Sequence, residues 1–249
     1  MAVVTMALRS ERGERADNED ALAVGVAGAS HFAIVSDGAG GHRRGAEASR
    51  RVVGQIETAL RAAASSFGSA HLADALGAAH ADLQRAQVGV HGPRRMYATA
   101  VVLWIDSGRD RALWSSVGDS RLYRIRCGRP ELVTADDSVV QRLLERGVLT
   151  PEQARVHPMK SQLLAAIGME EVVQPHTLAD PVPLEDADVF LLCTDGWWRA
   201  LDEADMAGTL ADARTPQQWL DAMAELIQAR AAPEQDNFSA VAVWVSDLG

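Results

Sequence analysis

Apolar residues along this chain follow two rhythms. Short β-branched runs bounded by turn residues read as strands, and apolar positions recurring every three or four residues read as helices. Val3–Leu8 is the first strand, and a charged loop follows over residues 9–20. Ala21–Val26 and His31–Ser36 read as two more strands, joined through Ala27-Gly28-Ala29-Ser30 in a hairpin. From Gly45 to about Ala64 the period becomes helical, with Val52, Ile56 and Leu60 one turn apart. Ser69–Ala86 repeats the pattern with Leu72, Leu76, Ala79 and Leu83 on one face.

Thr99–Ile105, Arg111–Val117 and Arg121–Arg126 read as three strands. Their connections, Asp106-Ser107-Gly108 and Gly118-Asp119-Ser120, read as hairpin turns. Ser138–Gly147 is helical, and Thr150-Pro151 starts another helix with Thr150 as N-cap. Val172–Leu178 and Asp188–Cys193 return to strand character. Thr215-Pro216 opens a helix to about Ala231, and Ala240–Val245 closes the chain as a strand. Hairpin-linked strands predict largely antiparallel sheets, and successive amphipathic helices predict helical layers on them. The expected fold is α+β, a sandwich of sheets flanked by helix pairs in one domain over residues 1–249.

Composition narrows the classes of function. The chain has 249 residues, 34 Asp+Glu against 24 Lys+Arg and a net charge of −10. That balance argues against nucleic acid as the main partner, since a phosphate backbone rewards clustered Lys and Arg. No run approaches the roughly 20 apolar residues of a membrane span, and the N-terminus lacks the basic region of a signal peptide. The two cysteines, Cys127 and Cys193, lie in apolar contexts without metal spacing, so neither a disulfide nor a thiolate site is expected. The expectation is a soluble, cytoplasmic protein with no membrane insertion.

The acids are placed unevenly. Asp17-Asn18-Glu19-Asp20, Asp37-Gly38, Asp195-Gly196 and Asp236-Asn237 each lie at the edge of a predicted strand. Ala33–Ser36 runs into Asp37-Gly38, and Phe190–Thr194 runs into Asp195-Gly196. If these strands are neighbours, their carboxylates share one rim and repel one another unless a cation neutralises them. Oxygen-only donors suit hard ions such as Mg²⁺ or Mn²⁺. Asp-Gly is also a common turn dipeptide, which is the competing reading for either pair alone. Arg15, just before the first acidic cluster, is either a solvated side chain or a phosphate clamp.

In order along the chain, these segments resemble the metal-dependent Ser/Thr phosphatases of the protein phosphatase 2C type, in their compact bacterial form. Arg15-Ala16-Asp17-Asn18-Glu19-Asp20 is similar to that family's Arg-x-x-Asn-Glu-Asp, and Asp37-Gly38-Ala39-Gly40-Gly41-His42 to its Asp-Gly-Met-Gly-Gly-His. Gly118-Asp119-Ser120-Arg121, Thr134–Ser138, Leu191–Trp197 and Asp236-Asn237 match four further motifs. The resemblance implies an α-β-β-α sandwich with two Mn²⁺ or Mg²⁺ ions at one end. Asp37 would bridge both ions and the Gly38 carbonyl would bind one, while Asp195 and Asp236 would hold the second. Glu19 and Asp20 would act mainly through water, and Asp119 would help hold a third, weaker ion. Residues 138–168 would form a flap beside the site.

The implied reaction is hydrolysis of phosphoserine or phosphothreonine in proteins by a hydroxide between the ions, with Arg15 on the phosphate. The implied partners are phosphorylated protein substrates and a cognate Ser/Thr kinase that the enzyme opposes. Three departures stand out. Ala39 stands where the family carries Met or His, so a His general acid is missing. Met96-Tyr97-Ala98-Thr99 replaces a Gly-Thr-Thr stretch, implying altered strand packing or a narrower approach at Tyr97. Asp137 replaces a His. These departures motivate a second reading, a pseudophosphatase that binds phosphoproteins without turning them over.

Overall fold

The structure is a computed structural model that describes residues 2–39, 44–63, 66–230 and 234–247. In chain order the elements are β1 (Val3–Glu11), β2 (Asp20–Ala27), β3 (Ser30–Ala39), α1 (Arg44–Ala62), α2 (Ser69–Ala86), β4 (Tyr97–Ala98), β5 (Ala100–Asp106), β6 (Arg111–Val117), β7 (Arg121–Arg126) and β8 (Arg129–Leu132). They continue with α3 (Val139–Glu145), α4 (Pro151–Arg155), β9 (His176–Thr177), β10 (Val182–Pro183), β11 (Val189–Cys193), α5 (Asp195–Trp198), α6 (Glu203–Asp212), α7 (Pro216–Arg230) and β12 (Phe238–Ser246).

Strands that are apolar on both faces need cover on both sides, and β5 and β11 are buried at every position. Two antiparallel sheets supply that cover for each other. One runs β1-β12-β11-β7-β8; the other runs β10-β6-β5-β3-β2, with β4 and β9 attached to β3 and β6. Between them Val35, Val101 and Leu103 of one sheet meet Phe190, Leu192 and Val241 of the other. The outer face of the β3 sheet packs on α1 and α2 through Val52, Ile56, Leu72 and Leu76 against Phe32 and Trp104. The outer face of the β11 sheet packs on α7 through Trp219, Met223 and Ile227 against Leu191 and Ala242, with Met206 of α6 beside them. Burying each such side chain stabilises the fold by about 1.5–3 kcal/mol. The layers are α-β-β-α, as the hydrophobic pattern and the resemblance predict.

Several local expectations change. Gly118-Asp119-Ser120 is not a hairpin: β6 and β7 lie in opposite sheets, and the chain crosses between them there. Gly118 takes a φ of 96°, which L side chains rarely adopt, and its N–H donates to Asp137 Oδ2 at 2.9 Å. The strand expected over Val172–Leu178 shrinks to His176–Thr177, because Pro175 has no N–H to give a ladder. Cys127 is exposed in the β7–β8 turn with a φ of 51°, rather than apolar in setting, while Cys193 is buried; both are free thiols. The helix ends expected near Ala64 and Ala231, and the Gly40-Gly41-His42 part of the second motif, lie outside the described residues.

The Thr150 N-cap forms a full capping box with Gln153. Among the described residues, no helix is long and apolar enough to cross a membrane.

Candidate functional site

The two Asp-Gly strands are not neighbours in one sheet. β3 and β11 face each other across the sandwich and end at the same rim, which brings Asp37 and Asp195 together from opposite layers. The register of the β2–β3 hairpin sets Asp20 directly opposite Asp37. β12 begins just after Asp236-Asn237 and pairs with β11 through Cys193 and Ala240, so Asp236 arrives at the same rim. The crossing at Gly118 delivers Asp119. Five separate chain segments thus supply Asp20, Asp37, Asp119, Asp195 and Asp236, each at or beside a strand end.

Hydrogen bonds fix the backbone behind these carboxylates. Thr99 grips Asp37 in both directions: its N–H donates to the Asp37 carbonyl at 2.8 Å, and its hydroxyl accepts from the Asp37 N–H at 2.9 Å. Thr194 Oγ1 donates to Asp20 Oδ2 at 3.0 Å and accepts from Ser239 N–H at 3.1 Å, joining β2 to β12. Asn237 ties the loop 12–19 down: its side-chain oxygen accepts from Glu19 N–H at 2.9 Å, and its amide donates to the Arg12 and Asp17 carbonyls at 2.7 and 3.0 Å. Gly38 and Gly45 lie back to back, with no room for a Cβ on either, so the start of α1 reaches Glu19 and the Gly38 carbonyl closely. Gly45 also gives Glu19 a backbone hydrogen bond that partly offsets the effect of burial on its carboxyl.

The electrostatics show a surplus of negative charge. Burial pushes Asp20 up to about 7, and the charges of Asp195 and Asp236 add to the shift. Burial also lifts Asp119 to about 7, reinforced by Asp195 and opposed by Arg199. Asp37 is raised well above the usual carboxylate range by burial and then by Asp20, Asp195, Asp119 and Asp236. Asp195 and Glu19 are raised too, burial again leading.

Two arginines partly offset this charge. Arg15, on the exposed side, donates to Asp236 Oδ2 at 2.6 Å. Arg199 pairs with Asp195 at 2.8 Å and with Asp119 at 3.3 Å. Among the described residues, no three His, Cys, Asp or Glu groups are already closed around one ion-sized point. The acids are gathered but held apart, two of them by Arg199. An oxygen-only donor set with unbalanced negative charge fits hard divalent cations, which stabilise the ionised form that burial disfavours.

The carboxylates open into a cleft of about 430 Å³ lined by Arg15, Glu19, Asp37, Tyr97, Asp119, Ser161, Asp195 and Asp236 among others. The residues anticipated from sequence at this site, Arg15, Glu19, Asp20, Asp37, Gly38, Asp119, Asp195 and Asp236, all come to this rim; Asp20 sits behind the cleft wall, reached through Thr194. Tyr97 stands opposite Ala39 in the β3–β4 pairing and lines the cleft. Asp137 serves the Gly118 turn and pairs with His176 Nε2 at 2.8 Å.

The protein phosphatase 2C family profile matches residues 9–237. The chain belongs to the protein phosphatase 2C family. Membership makes it a metal-dependent protein serine/threonine phosphatase. The serine/threonine phosphatase stp of Listeria innocua is 28% identical over 217 residues, which is 84% of this chain and 82% of that protein. The serine/threonine protein phosphatase PstP of Mycobacterium tuberculosis is 34% identical over 201 residues, 79% of this chain and 37% of PstP, so the match spans little over a third of that relative. The crystal structure of a PstP catalytic domain in complex with 2 manganese ions superposes with a TM-score of 0.86 at 26% identity, covering 99% of this chain and 100% of that one.

Three residues at the site were not anticipated. Gly45 sits at a helix start where nothing in the hydrophobic period marks it. Asn237 was visible only as half of a dipeptide. Arg199, four residues after Asp195, carried the one usable signal: an i,i+4 acid–base pair at a helix turn.

Proposed function

We propose that this phosphatase hydrolyses phosphoserine and phosphothreonine in proteins with two Mn²⁺ or Mg²⁺ ions at the Asp37 rim, opposing a Ser/Thr kinase in the cytoplasm. The observation that carries the reading is the meeting of Asp37 and Asp20 on one sheet with Asp195 and Asp236 on the other, beneath the exposed Arg15. Asp37 would hold both ions, and the Gly38 carbonyl would hold one of them. Asp195 and Asp236 would hold the second, with Glu19 and Asp20 acting through water. Asp119 would serve a third, weaker ion, and residues 138–168 would act as the flap over the cleft.

Bound divalent ions supply charge neutralisation and water of lowered pKa. The chain's own residues do the rest. Arg15 is 58% exposed at the side chain and can turn from Asp236 to two phosphate oxygens of a docking substrate. Ala39 has no proton to give, so the departing serine or threonine oxygen takes its proton from solvent in the open cleft. Tyr97, beside Ala39, bounds the path by which a phosphorylated side chain enters.

The test is phosphate release from a phosphothreonine peptide with Mn²⁺ against a chelated control. Mn²⁺-dependent turnover supports the reading. A folded protein that binds the peptide and releases no phosphate overturns it in favour of a binding module.

A further inference from the structure

Arg199 makes more contacts at the rim than any role as a simple counter-charge requires. One edge of its guanidinium faces the acids, with Nη1 at 2.8 Å from Asp195 Oδ2 and Nη2 at 3.3 Å from Asp119 Oδ2. The same two nitrogens also reach the loop after α4: Nη1 donates to Ser161 Oγ at 2.9 Å and Nη2 to the Lys160 carbonyl at 3.0 Å. The side chain is only 23% exposed, and it lies along the Trp198 ring at 5.1 Å. Trp198 is itself fixed, by its Nε1–H donating to the Asp119 carbonyl at 2.9 Å and by Arg121 stacked at 3.5 Å. Arg121 in turn is held by Asp136. The guanidinium is thus placed by a rigid platform.

Its position separates two spaces. The catalytic cleft lies on one side of Asp119. A larger cavity of about 780 Å³ lies on the other, lined by Asp119, Arg199, Trp198, Lys160 and residues of α3 and α4. Asp119 borders both, so Arg199 stands at their junction.

We propose that Arg199 is a latch: its guanidinium is the resident cation between Asp119 and Asp195, and through Lys160 and Ser161 it holds the flap against the acids. A divalent ion that enters between Asp119 and Asp195 must then displace Arg199, because two cations cannot share that space in a partly buried setting. Displacement breaks the hydrogen bonds to Lys160 and Ser161 together, so ion entry releases the flap and joins the two cavities. Ion occupancy at that pair and flap docking are therefore mutually exclusive states of one switch. The inference rests on the reading of the rim as a metal centre.

The test measures Mn²⁺ bound per chain by equilibrium dialysis and backbone hydrogen exchange over residues 158–163, in the full-length protein. Arg199→Gln is expected to bind one more Mn²⁺ per chain than wild type at equal free Mn²⁺ below the millimolar range, and to exchange about tenfold faster in that segment without metal. Arg199→Lys keeps the charge but cannot span four acceptors, so it should keep the wild-type stoichiometry while exchanging faster. Wild type alone gives an independent arm, in which exchange over 158–163 should accelerate as Mn²⁺ rises into the millimolar range. Equal stoichiometry in wild type and Arg199→Gln below millimolar free Mn²⁺, or wild-type exchange indifferent to Mn²⁺ up to the millimolar range, overturns the latch. A wild type that binds no Mn²⁺ overturns the metal-centre reading itself, and the latch with it.

Discussion

Strand β11 carries a buried aspartate beyond each end, and the two are treated in opposite ways. At its start Asp188, with no solvent exposure, is matched by Arg126, which also pairs with the exposed Glu185. Arg126 donates to it through Nε at 2.8 Å and Nη2 at 2.7 Å, and the Glu185 N–H adds a third bond at 2.8 Å. At its finish Asp195 joins Asp20, Asp37, Asp119 and Asp236, and among the described residues Arg15 and Arg199 pair directly with this group, with Arg121 acting on Asp119 from further off. The first arrangement is closed, because both carboxylate oxygens have donors and a full opposite charge lies against them. The second is open by one or more positive charges. A buried carboxylate is structural when it is paired, and becomes a binding element when the fold gathers more of them than it neutralises.

The largest expected effect tests the open end. Asp37→Asn removes a charge that both sheets converge on, and kcat with Mn²⁺ should fall on the order of 10²- to 10³-fold, in protein whose circular dichroism shows it folded. A variant that keeps wild-type kcat would place the metal-binding surplus elsewhere.

The closed end should respond in stability instead. Arg126→Ala leaves Asp188 charged and buried without its partner, at a cost of about 3–5 kcal/mol. Urea unfolding measures it, and Mn²⁺ stoichiometry should stay at the wild-type value.

Adding Mn²⁺ to about one hundred times its Kd should stabilise the wild type by about 2.7 kcal/mol. Asp20→Asn should reverse the balance: its amide oxygen can still accept from Thr194, while one repelling charge is gone. The metal-free variant should melt above the metal-free wild type and gain less from Mn²⁺. A wild type whose Tm ignores Mn²⁺ would remove the contrast between the two ends.

The pH dependence follows from the same surplus. Asp20 and Asp119 sit near 7 in the metal-free protein, above their ordinary 3.8. The folded state therefore holds more protons than the unfolded chain between those values. The associated stability is fully present below about 4 and is lost as pH rises through about 7. Chelated protein should have a lower urea midpoint at about pH 8 than at about pH 6. Saturating Mn²⁺ should flatten or invert that slope, since ions bind the ionised carboxylates. An equal midpoint at both pH values in chelated protein would mean these acids are already compensated.

Much of this was legible before any coordinates. The continuous apolar runs that become β3 and β11 both lead into Asp-Gly, and that repetition marks the rim. The four-residue period of Val52, Ile56 and Leu60 marked the helical layer. Which strands share a sheet was not legible. The Gly118-Asp119-Ser120 turn has the same local chemistry whether its strands pair or part, and only the burial of β6 and β7 on different helical layers separates them. Helix α6 is hard to read from sequence although Asp202 and Asp205 cap it reciprocally, because Asp at both N-cap and N3 departs from the usual Ser/Thr-x-x-Glu signal. Arg199 was hidden for a related reason. Its partners Asp119, Lys160 and Ser161 are distant in sequence, and no period or spacing joins them.

The smallest effect separates charge from geometry at the closed end. Arg126→Lys keeps a cation beside Asp188 but replaces a planar fork by one ammonium, so one of the two parallel hydrogen bonds is lost. The expected cost is about 1.5 kcal/mol, roughly a third to a half of the alanine effect, with Mn²⁺ binding and kcat unchanged. If lysine costs as much as alanine, the fork itself is what closes that end, and net charge is a poor measure of how closed a buried site is. If lysine costs nothing, one positive charge suffices for one buried aspartate. At the other end of β11 five aspartates gather around Arg15 and Arg199, and the charge left unmatched there is what a bound ion would neutralise.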